Sequence, residues 1–527
     1  MAPQPDDAGT PRWAGMIAAL SGANAYPPPV DEVELVETHI SWVFLAGDYA
    51  YKFKKPLDLG FLDFRERTRR LHYCREELRV NARLAPEIYL DVVGARDTGE
   101  SWRIGALGDD AEPAVRMRRF PAEARLDRRL DAGALEGEAL EAFAHDLAGF
   151  QGGLPPARPD AGFGDAAAVA RPALANFALL PHDALDAEAA MAMAQLEDWT
   201  RHRAAALRGQ FDARLAAGFI REGHGDLHLA NLVLLEGRIR AFDGIEFDPA
   251  LRWIDVQSEV AFLLMDLESR GRADLGWRFY NAWLAALGDY DGLALLHWYL
   301  VYRHLVRAKI DGIRLAQPGL EAGESTRLEA RLANHLDTAM RHARPPAPLL
   351  VLMHGRSGSG KSRLAARLAP RLPAAWVRSD LERKRLHGID PSAAAPAQVG
   401  RGLYDAGSSA RTYERLARIA RTALGAGVSL IVDAAFLEKA RREEFIGLAR
   451  DCVARPVVLA CEAPPEVLRD RVAGRQHDPS DADLAVLEAQ LARTIDTGPL
   501  EAGVRVTVDT RTDPDVAALA ARLARMS

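Results

Sequence analysis

Eight consecutive residues, Gly355, Arg356, Ser357, Gly358, Ser359, Gly360, Lys361 and Ser362, fit the pattern G-x-x-x-x-G-K-[ST] in full. Glycines so spaced let backbone N–H groups curl around phosphate oxygens at the start of a helix. Lys361 would then reach the β- and γ-phosphates of ATP, and Ser362 a Mg2+ ion. The setting fits, because LLVLMH before the loop reads as a buried strand and SRLAARLAPRL after it as a helix. Asp433 ends the apolar run 428–432, where a second carboxylate would orient Mg2+. Asp380 ends AAWVRSD at the carboxyl edge of the expected sheet. There it either takes the proton of an acceptor hydroxyl or caps a helix. Arg471 and Arg475 are four residues apart. They would close over a transferring phosphate as a lid or form an ordinary solvated helix face.

A second constellation lies in HGDLHLAN, residues 224–231, followed by Phe242 and Asp243. It resembles the H-R-D-x-x-x-x-N catalytic loop of kinases, since Asp226 and Asn231 keep its spacing. Asp226 would face the acceptor hydroxyl, while Asn231 and Asp243 would hold Mg2+. Glu246 and Asp248 lie close enough to add outer contacts. His224, Asp226 and His228 also permit a zinc reading, which needs a further ligand and explains neither Asn231 nor Asp243. A nucleotide site of this kind needs a lysine on an early strand, and AYKFKK supplies it. Strand alternation puts Lys52 and Lys54 on one face, opposite Tyr51 and Phe53. Lys52 is the choice for the α/β-phosphates and Lys54 the fallback. Glu77 on the following helix would hold that lysine, sharing the inward face with Cys74 better than Glu76 does.

Strands turning at residues 46–48 precede a helix over 65–84, and further strands end near Pro121. The small sheet with one helix is followed by a mostly helical stretch to about Arg344, interrupted by a β-like segment over 223–247. Residues 151–172, rich in Gly, Pro and Ala, read as a loop. RPPAP at 344–348 reads as a linker. Beyond it strands alternate with helices, the mark of a parallel α/β sheet. The divisions are 1–34 as a tail or cap, 35–121 and 122–343 as small and large lobes, and 349–527 as the last domain.

The 527 residues carry a net charge of −7, and 48% are hydrophobic. That balance argues against a nucleic-acid coat or a basic membrane binder. The three cysteines form no C-x-x-C and no disulfide framework, and no run is long and apolar enough to span a bilayer. A cytoplasmic, small-molecule enzyme is the expectation, with oligomeric state left open. Of 67 basic residues only seven are lysine, and four of those stand at 52, 54, 55 and 361. A compact ammonium was kept there in a chain that otherwise writes arginine.

GRSGSGKS, RSDLERKRL, VDAAF and RDRVAGRQ together resemble the small P-loop kinases that include gluconate kinase, shikimate kinase and zeta-toxin-like proteins. The resemblance implies a three-layer α/β/α fold and phosphoryl transfer to a small hydroxyl acceptor near Asp380. HGDLHLAN, FDGIEFD and, more loosely, AYKFKK resemble the aminoglycoside phosphotransferase and choline-kinase-like family. That resemblance implies a bilobal protein-kinase-like fold over 35–343. Two departures stand out: no G-x-G-x-x-G precedes Lys52, and Asp243-Gly244-Ile245 replaces D-F-G. The order of the chain resembles bacterial fusions of such a domain to a P-loop kinase, with two sites using ATP and Mg2+.

Overall fold

The structure, a computed structural model, describes residues 11–28, 30–58, 60, 62–181, 185–391, 405–474 and 484–526. The chain forms two compact units, one of Met1–Ala139, Leu154–Gly164 and Leu215–Glu259, the other of Leu140–Gly153, Asp165–Arg214 and Val260–Ser527.

In the first unit, six antiparallel strands form one sheet. Their order is Val33–Glu37, Ser41–Ala46, Tyr49–Lys54, Glu112–Arg118, Tyr89–Asp97 and Trp102–Gly105. Alternation along Tyr49–Lys54 sorts its side chains. Tyr51 and Phe53 enter an aromatic cluster with Trp42, Phe44 and Trp102. Ala50 packs on the other face with Cys74 of the helix Arg67–Asn81, and Lys52 and Lys54 share that face. Of the residues expected as a tail or cap, those from Pro11 onward pack on this sheet. The helix Pro11–Leu20 buries Trp13, Met16 and Leu20 in the aromatic cluster, with Trp13 and Trp42 ring centroids 5.8 Å apart. The 13, 16, 20 spacing is one helical face, hidden by the acidic, Pro-rich start before it.

In the second unit, five parallel strands run in the order Ala374–Arg378, Ser429–Asp433, Leu349–His354, Arg455–Glu462 and Arg505–Asp509. Leu349, Val351 and Met353 of the central strand pack with Leu364, Leu368, Leu519 and Leu523 from two helices on one face. Leu350 and Leu352 are fully buried on the other, where the helices Ala406–Gly425 and Lys439–Asp451 lie. This is the three-layer P-loop arrangement, with every βα loop at one edge of the sheet.

The helices from Val260 onward belong to the same compact unit as the parallel sheet. The reason is polar and local. Ala374–Arg378 is an edge strand, and its open backbone is covered by side chains. Asn281 accepts from the Trp376 N–H at 2.8 Å and donates to the Ala374 carbonyl at 3.0 Å, and Tyr290 donates to the Trp376 carbonyl at 3.1 Å. An amide side chain here substitutes for a neighbouring strand and protects the edge. The stretch read as a loop over 151–172 is shorter. Helices run to Gly153 and resume at Ala166.

Candidate nucleotide sites

The first site is assembled by four segments of the first unit. Lys52 lies 2.8 Å from Glu77 Oε1 and 2.5 Å from Asp243 Oδ1. Lys54 binds Glu77 Oε2 at 2.7 Å and also pairs with Glu246, entirely out of solvent. Of the two lysines, Lys52 is the one beside Asp243. Burial works against its charge, but Asp243 and Glu77 outweigh that penalty and hold its pKa well above the ordinary lysine value. Glu246 is therefore a buried partner of Lys54, and Asp248 caps the short helix Pro249–Arg252 by accepting from the Ala250 N–H.

Asp243 itself sits at φ +60°, a left-handed conformation that Asp adopts more readily than most residues. Its N–H donates to the Tyr89 hydroxyl at 2.9 Å, and the next N–H, of Gly244, donates to Asn81 Oδ1 at 2.7 Å. These bonds turn the Asp243 carboxylate toward Lys52. The 224–231 segment is fixed in the same way. Gly225 has φ +87°, and a Cβ there would stand 2.6 Å from the Leu251 carbonyl. The buried Glu259 carboxylate accepts the N–H groups of His224 and Gly225 at 2.5 and 2.9 Å. Asn231 donates to Asp226 Oδ2 at 2.9 Å and to its carbonyl at 3.0 Å. Its side-chain nitrogen thus orients Asp226, and its oxygen is the atom suited to a cation.

His224 is buried and neutral, its pKa lowered by desolvation. Its Nε2–H donates to the Phe242 carbonyl at 2.8 Å, and its Nδ1 accepts from the Asp226 N–H at 3.3 Å. Both ring nitrogens are committed to backbone, which removes the zinc reading of this loop. Sequence reasoning missed Glu259, Asn81 and Tyr89. The one signal was Glu259 itself, a carboxylate in the apolar run VQSEVAFLL.

The second site is a cleft of about 310 Å3 at the loop edge of the parallel sheet. Ser357, Gly358, Gly360, Lys361, Ser362, Asp380, Asp433 and Arg471 line it, joined by Arg383, Tyr413 and Gln490. Gly355, Arg356 and Ser359 are not among the lining residues. The Gly355 N–H donates to the Ala435 carbonyl, Arg356 reaches the Gln490 carbonyl, and the Ser359 hydroxyl is buried behind the loop. Gly358 has φ +79°, and a Cβ there would come within 2.7 Å of the Leu468 carbonyl. Lys361 donates to the Arg356 carbonyl at 2.8 Å. Gln490, not anticipated from sequence, accepts the Ser357 N–H through its side-chain oxygen at 2.8 Å. Asp380 opens the helix Ser379–Leu386 and is paired with Arg383 at 3.1 Å. Arg471 donates to the Thr510 carbonyl at 2.6 Å and lies 3.4 Å from that of Gly358. Arg475 falls outside the described residues.

Asp433 is hydrogen-bonded to Ser362. Its Oδ2 is buried with no hydrogen-bond partner, and Arg378 Nε stands 4.0 Å away. Burial pushes its carboxyl up from the ordinary value, with Ser362 and Arg378 opposing. An orphaned carboxylate oxygen beside a serine hydroxyl fits a Mg2+ shell. A carboxyl whose folded pKa is raised costs stability as pH climbs above its unfolded value. Asp433→Asn is therefore expected to stabilise the fold at neutral pH by about 0.5–2 kcal/mol. In the same variant, Mg2+-dependent nucleotide binding by this site should weaken. Thermal melts and nucleotide titration check both halves, and a destabilised variant that still binds Mg-ATP normally would refute them.

Two mycobacterial proteins match nearly the whole chain, the uncharacterized proteins Rv2004c of Mycobacterium tuberculosis and Mb2027c of Mycobacterium bovis. Each is 33% identical over 471 residues, 89% of this chain and 92% of the relative. The chain belongs to their family. Residues 350–495 match the family model AAA_33, described as an AAA domain. Among solved structures, a putative kinase from Chloroflexus aurantiacus is 24% identical, covering 34% of this chain and all of its own, with a TM-score of 0.28. An amicoumacin kinase bound to AMP-PNP, Ca2+ and amicoumacin is 15% identical, covering 62% of this chain and 93% of its own, with a TM-score of 0.39. The AAA_33 match falls on the segment that holds the Gly355–Ser362 loop and four of the five parallel strands.

Proposed function

We propose that the chain is an ATP-dependent phosphotransferase with two nucleotide sites, each moving a γ-phosphoryl group to the hydroxyl of a small-molecule acceptor. The observation that carries the reading is the meeting of Lys52, Glu77 and Asp243 from distant segments in one cation-and-carboxylate cluster, while Asn231, which orients Asp226, accepts at its backbone carbonyl from the N–H of Phe242, the residue before Asp243. Phosphoryl transfer depends mainly on placing the nucleophile and neutralising phosphate charge. Lys52 would exchange Asp243 for the α/β-phosphates. Asp243 and the Asn231 oxygen would hold Mg2+, which supplies charge neutralisation when bound. Asp226, steered by Asn231, would accept the hydroxyl proton. In the other site Lys361, the loop amides and Arg471 would hold phosphate, Ser362 and Asp433 would hold Mg2+, and Asp380 would face the acceptor. Gln490 would yield the Ser357 amide to a phosphate oxygen.

The 344–348 segment is proposed as the boundary between the two catalytic parts of the sequence, and the cytoplasm as their compartment. Among the described residues no helix is long and apolar enough to cross a membrane. The net charge of −7 weighs against a nucleic-acid acceptor. A second reading, in which the N-terminal region binds and senses a ligand, is favoured by one feature. Gly47 and Asp48 make a tight turn between adjacent strands, where a glycine-rich loop would cover phosphates.

A metabolite library incubated with the full chain and Mg-ATP, read by mass spectrometry, tests the proposal. The expected result is acceptors that gain one phosphoryl group, some lost in Lys361→Ala and others in Asp226→Asn. ATP turnover with no phosphorylated acceptor for either site would overturn it.

A further inference from the structure

Five titratable side chains meet in the helical part of the second unit and share no residue with either nucleotide cluster. The helices Leu296–Leu315 and Ala322–Ala343 pack against one another. His297 and His304 are seven residues apart on the first, and His335 and His342 on the second, so each pair shares one helix face two turns apart. Antiparallel packing sets His297 against His342 and His304 against His335, both with Nδ1···Nδ1 at 3.1 Å. Glu268, from the helix Val256–Ser269, places Oε2 2.8 Å from His342 Nε2. The rings of His304 and His342 stack with centroids 5.8 Å apart.

The apolar neighbours Val301, Leu305, Ala308, Leu332, Leu336 and Ala339 make this an expensive place for polar groups. His304 has no solvent exposure, and its Nε2 is buried without a hydrogen-bond partner. Buried polar atoms of this kind are rare and call for a cause. One ligand atom each from Glu268, His304 and His342 lies within 4.8 Å of the others.

We propose that Glu268, His304 and His342 bind a divalent transition-metal ion, with zinc the best match to two imidazoles and a carboxylate. The hydrogen bonds sort the nitrogens. Nδ1 of His304 engages His335, which leaves its Nε2 for the ion; Nδ1 of His342 engages His297, and its Nε2 faces the Glu268 carboxylate, where the ion would replace the shared proton. His335 and His297 are the outer partners that fix tautomer and ring orientation. Burial lowers the pKa of His304, His335 and His297, favouring the neutral imidazoles that ligate metals. His342 holds the Glu268 carboxyl below its usual range, against the opposing effect of burial, so that ligand is anionic. Ligand atoms around a tetrahedral zinc lie roughly 3.3 Å apart, given Zn–N and Zn–O bonds of about 2.0–2.2 Å. Modest side-chain rotation closes the difference. Glu268 and His342 retain 22% and 12% side-chain exposure, so an ion reaches the site from solvent. Three protein ligands leave a fourth position for water, and the ion ties three helices together.

The test uses the full chain, stripped with a chelator and titrated with Zn2+, with Co2+ as a spectroscopic probe. The expected result is one tightly held ion per chain, the absorption of tetrahedral Co2+ with nitrogen and oxygen ligands, and a melting temperature that rises with Zn2+. Glu268→Gln and His342→Gln are each expected to weaken Zn2+ at least tenfold, and His335→Asn about tenfold through His304. Asp433→Asn is expected to leave Zn2+ binding unchanged, which separates this site from the nucleotide cleft. Should His342→Gln fail to fold, the more exposed Glu268→Gln keeps the test decisive. A folded wild type that holds no stoichiometric Zn2+, or Zn2+ binding indifferent to both Glu268→Gln and His342→Gln, would overturn the site.

Discussion

Asp226→Asn is expected to lower N-terminal phosphotransfer by roughly 10²–10⁴, the range for losing general-base assistance. The substitution keeps the side chain's size and its place beside Asn231 and His228, which contact Asp226 Oδ2 at 2.9 and 3.3 Å. It removes only the proton acceptor. Nucleotide affinity should therefore stay within about threefold, because Asp226 is expected to contact the acceptor hydroxyl and not the phosphates. Asp243→Asn should do the reverse and weaken Mg-ATP binding itself, since it takes a charge from the proposed metal shell. The variants should be assayed in a Lys361→Ala background, so that the P-loop site does not mask the loss. Keeping the full chain also preserves the side chains that cover the edge strand Ala374–Arg378. Full N-terminal activity in Asp226→Asn, or normal Mg-ATP binding in Asp243→Asn, would refute the assigned roles and favour the ligand-sensing reading.

Glu77→Ala should cost the first unit about 3–5 kcal/mol, the usual penalty for leaving a buried charge unpaired. Glu77 is 1% exposed and stands between two buried lysines, so its loss strands Lys52 beside Asp243 and Lys54 beside Glu246. Hydrogen exchange over residues 41–54 measures the loss locally. Lys54→Met in the Glu77→Ala background should recover part of it, because the two changes share one network. The pH dependence has a definite sign. Burial pushes the Glu77 carboxyl up, but Lys52 and Lys54 outweigh it and hold the pKa at about 2 against an ordinary 4.5. A carboxyl depressed in the folded state contributes fully above its unfolded value and loses that contribution as pH falls through the folded one. Wild type should thus lose stability more steeply than Glu77→Gln between pH 4.5 and 2. Equal slopes would mean that Glu77 is not the charge that pairs the lysines.

The parts of the sites that sequence revealed are those written as short consecutive runs. GRSGSGKS and HGDLHLAN each fix backbone and side chains within a few residues, so residue type and spacing carry the chemistry. Alternation along AYKFKK placed Lys52 and Lys54 on one face, and both meet Glu77. What escaped came from far along the chain. Glu259, Asn81, Tyr89 and Gln490 act by holding backbone N–H groups of another segment, and no local pattern records such a partner. Asn281 is of the same kind, an amide whose role as a substitute strand appears only beside Ala374–Arg378. Glu246 and Asp248 show the converse: nearness in sequence to Asp243 suggested outer contacts, and it did not reveal that one pairs with Lys54 and the other caps a helix. The four histidines lie seven residues apart on two helices, a spacing that looks like ordinary core until the helices are set in register.

The most direct test of two nucleotide sites is titration calorimetry of the full chain with a non-hydrolysable ATP analogue and Mg2+. The expected stoichiometry is near two, falling to near one in Lys361→Ala and to near one in Lys52→Ala, with the remaining site unchanged in affinity. A wild-type stoichiometry of one, abolished by Lys361→Ala and untouched by Lys52→Ala, would contradict it.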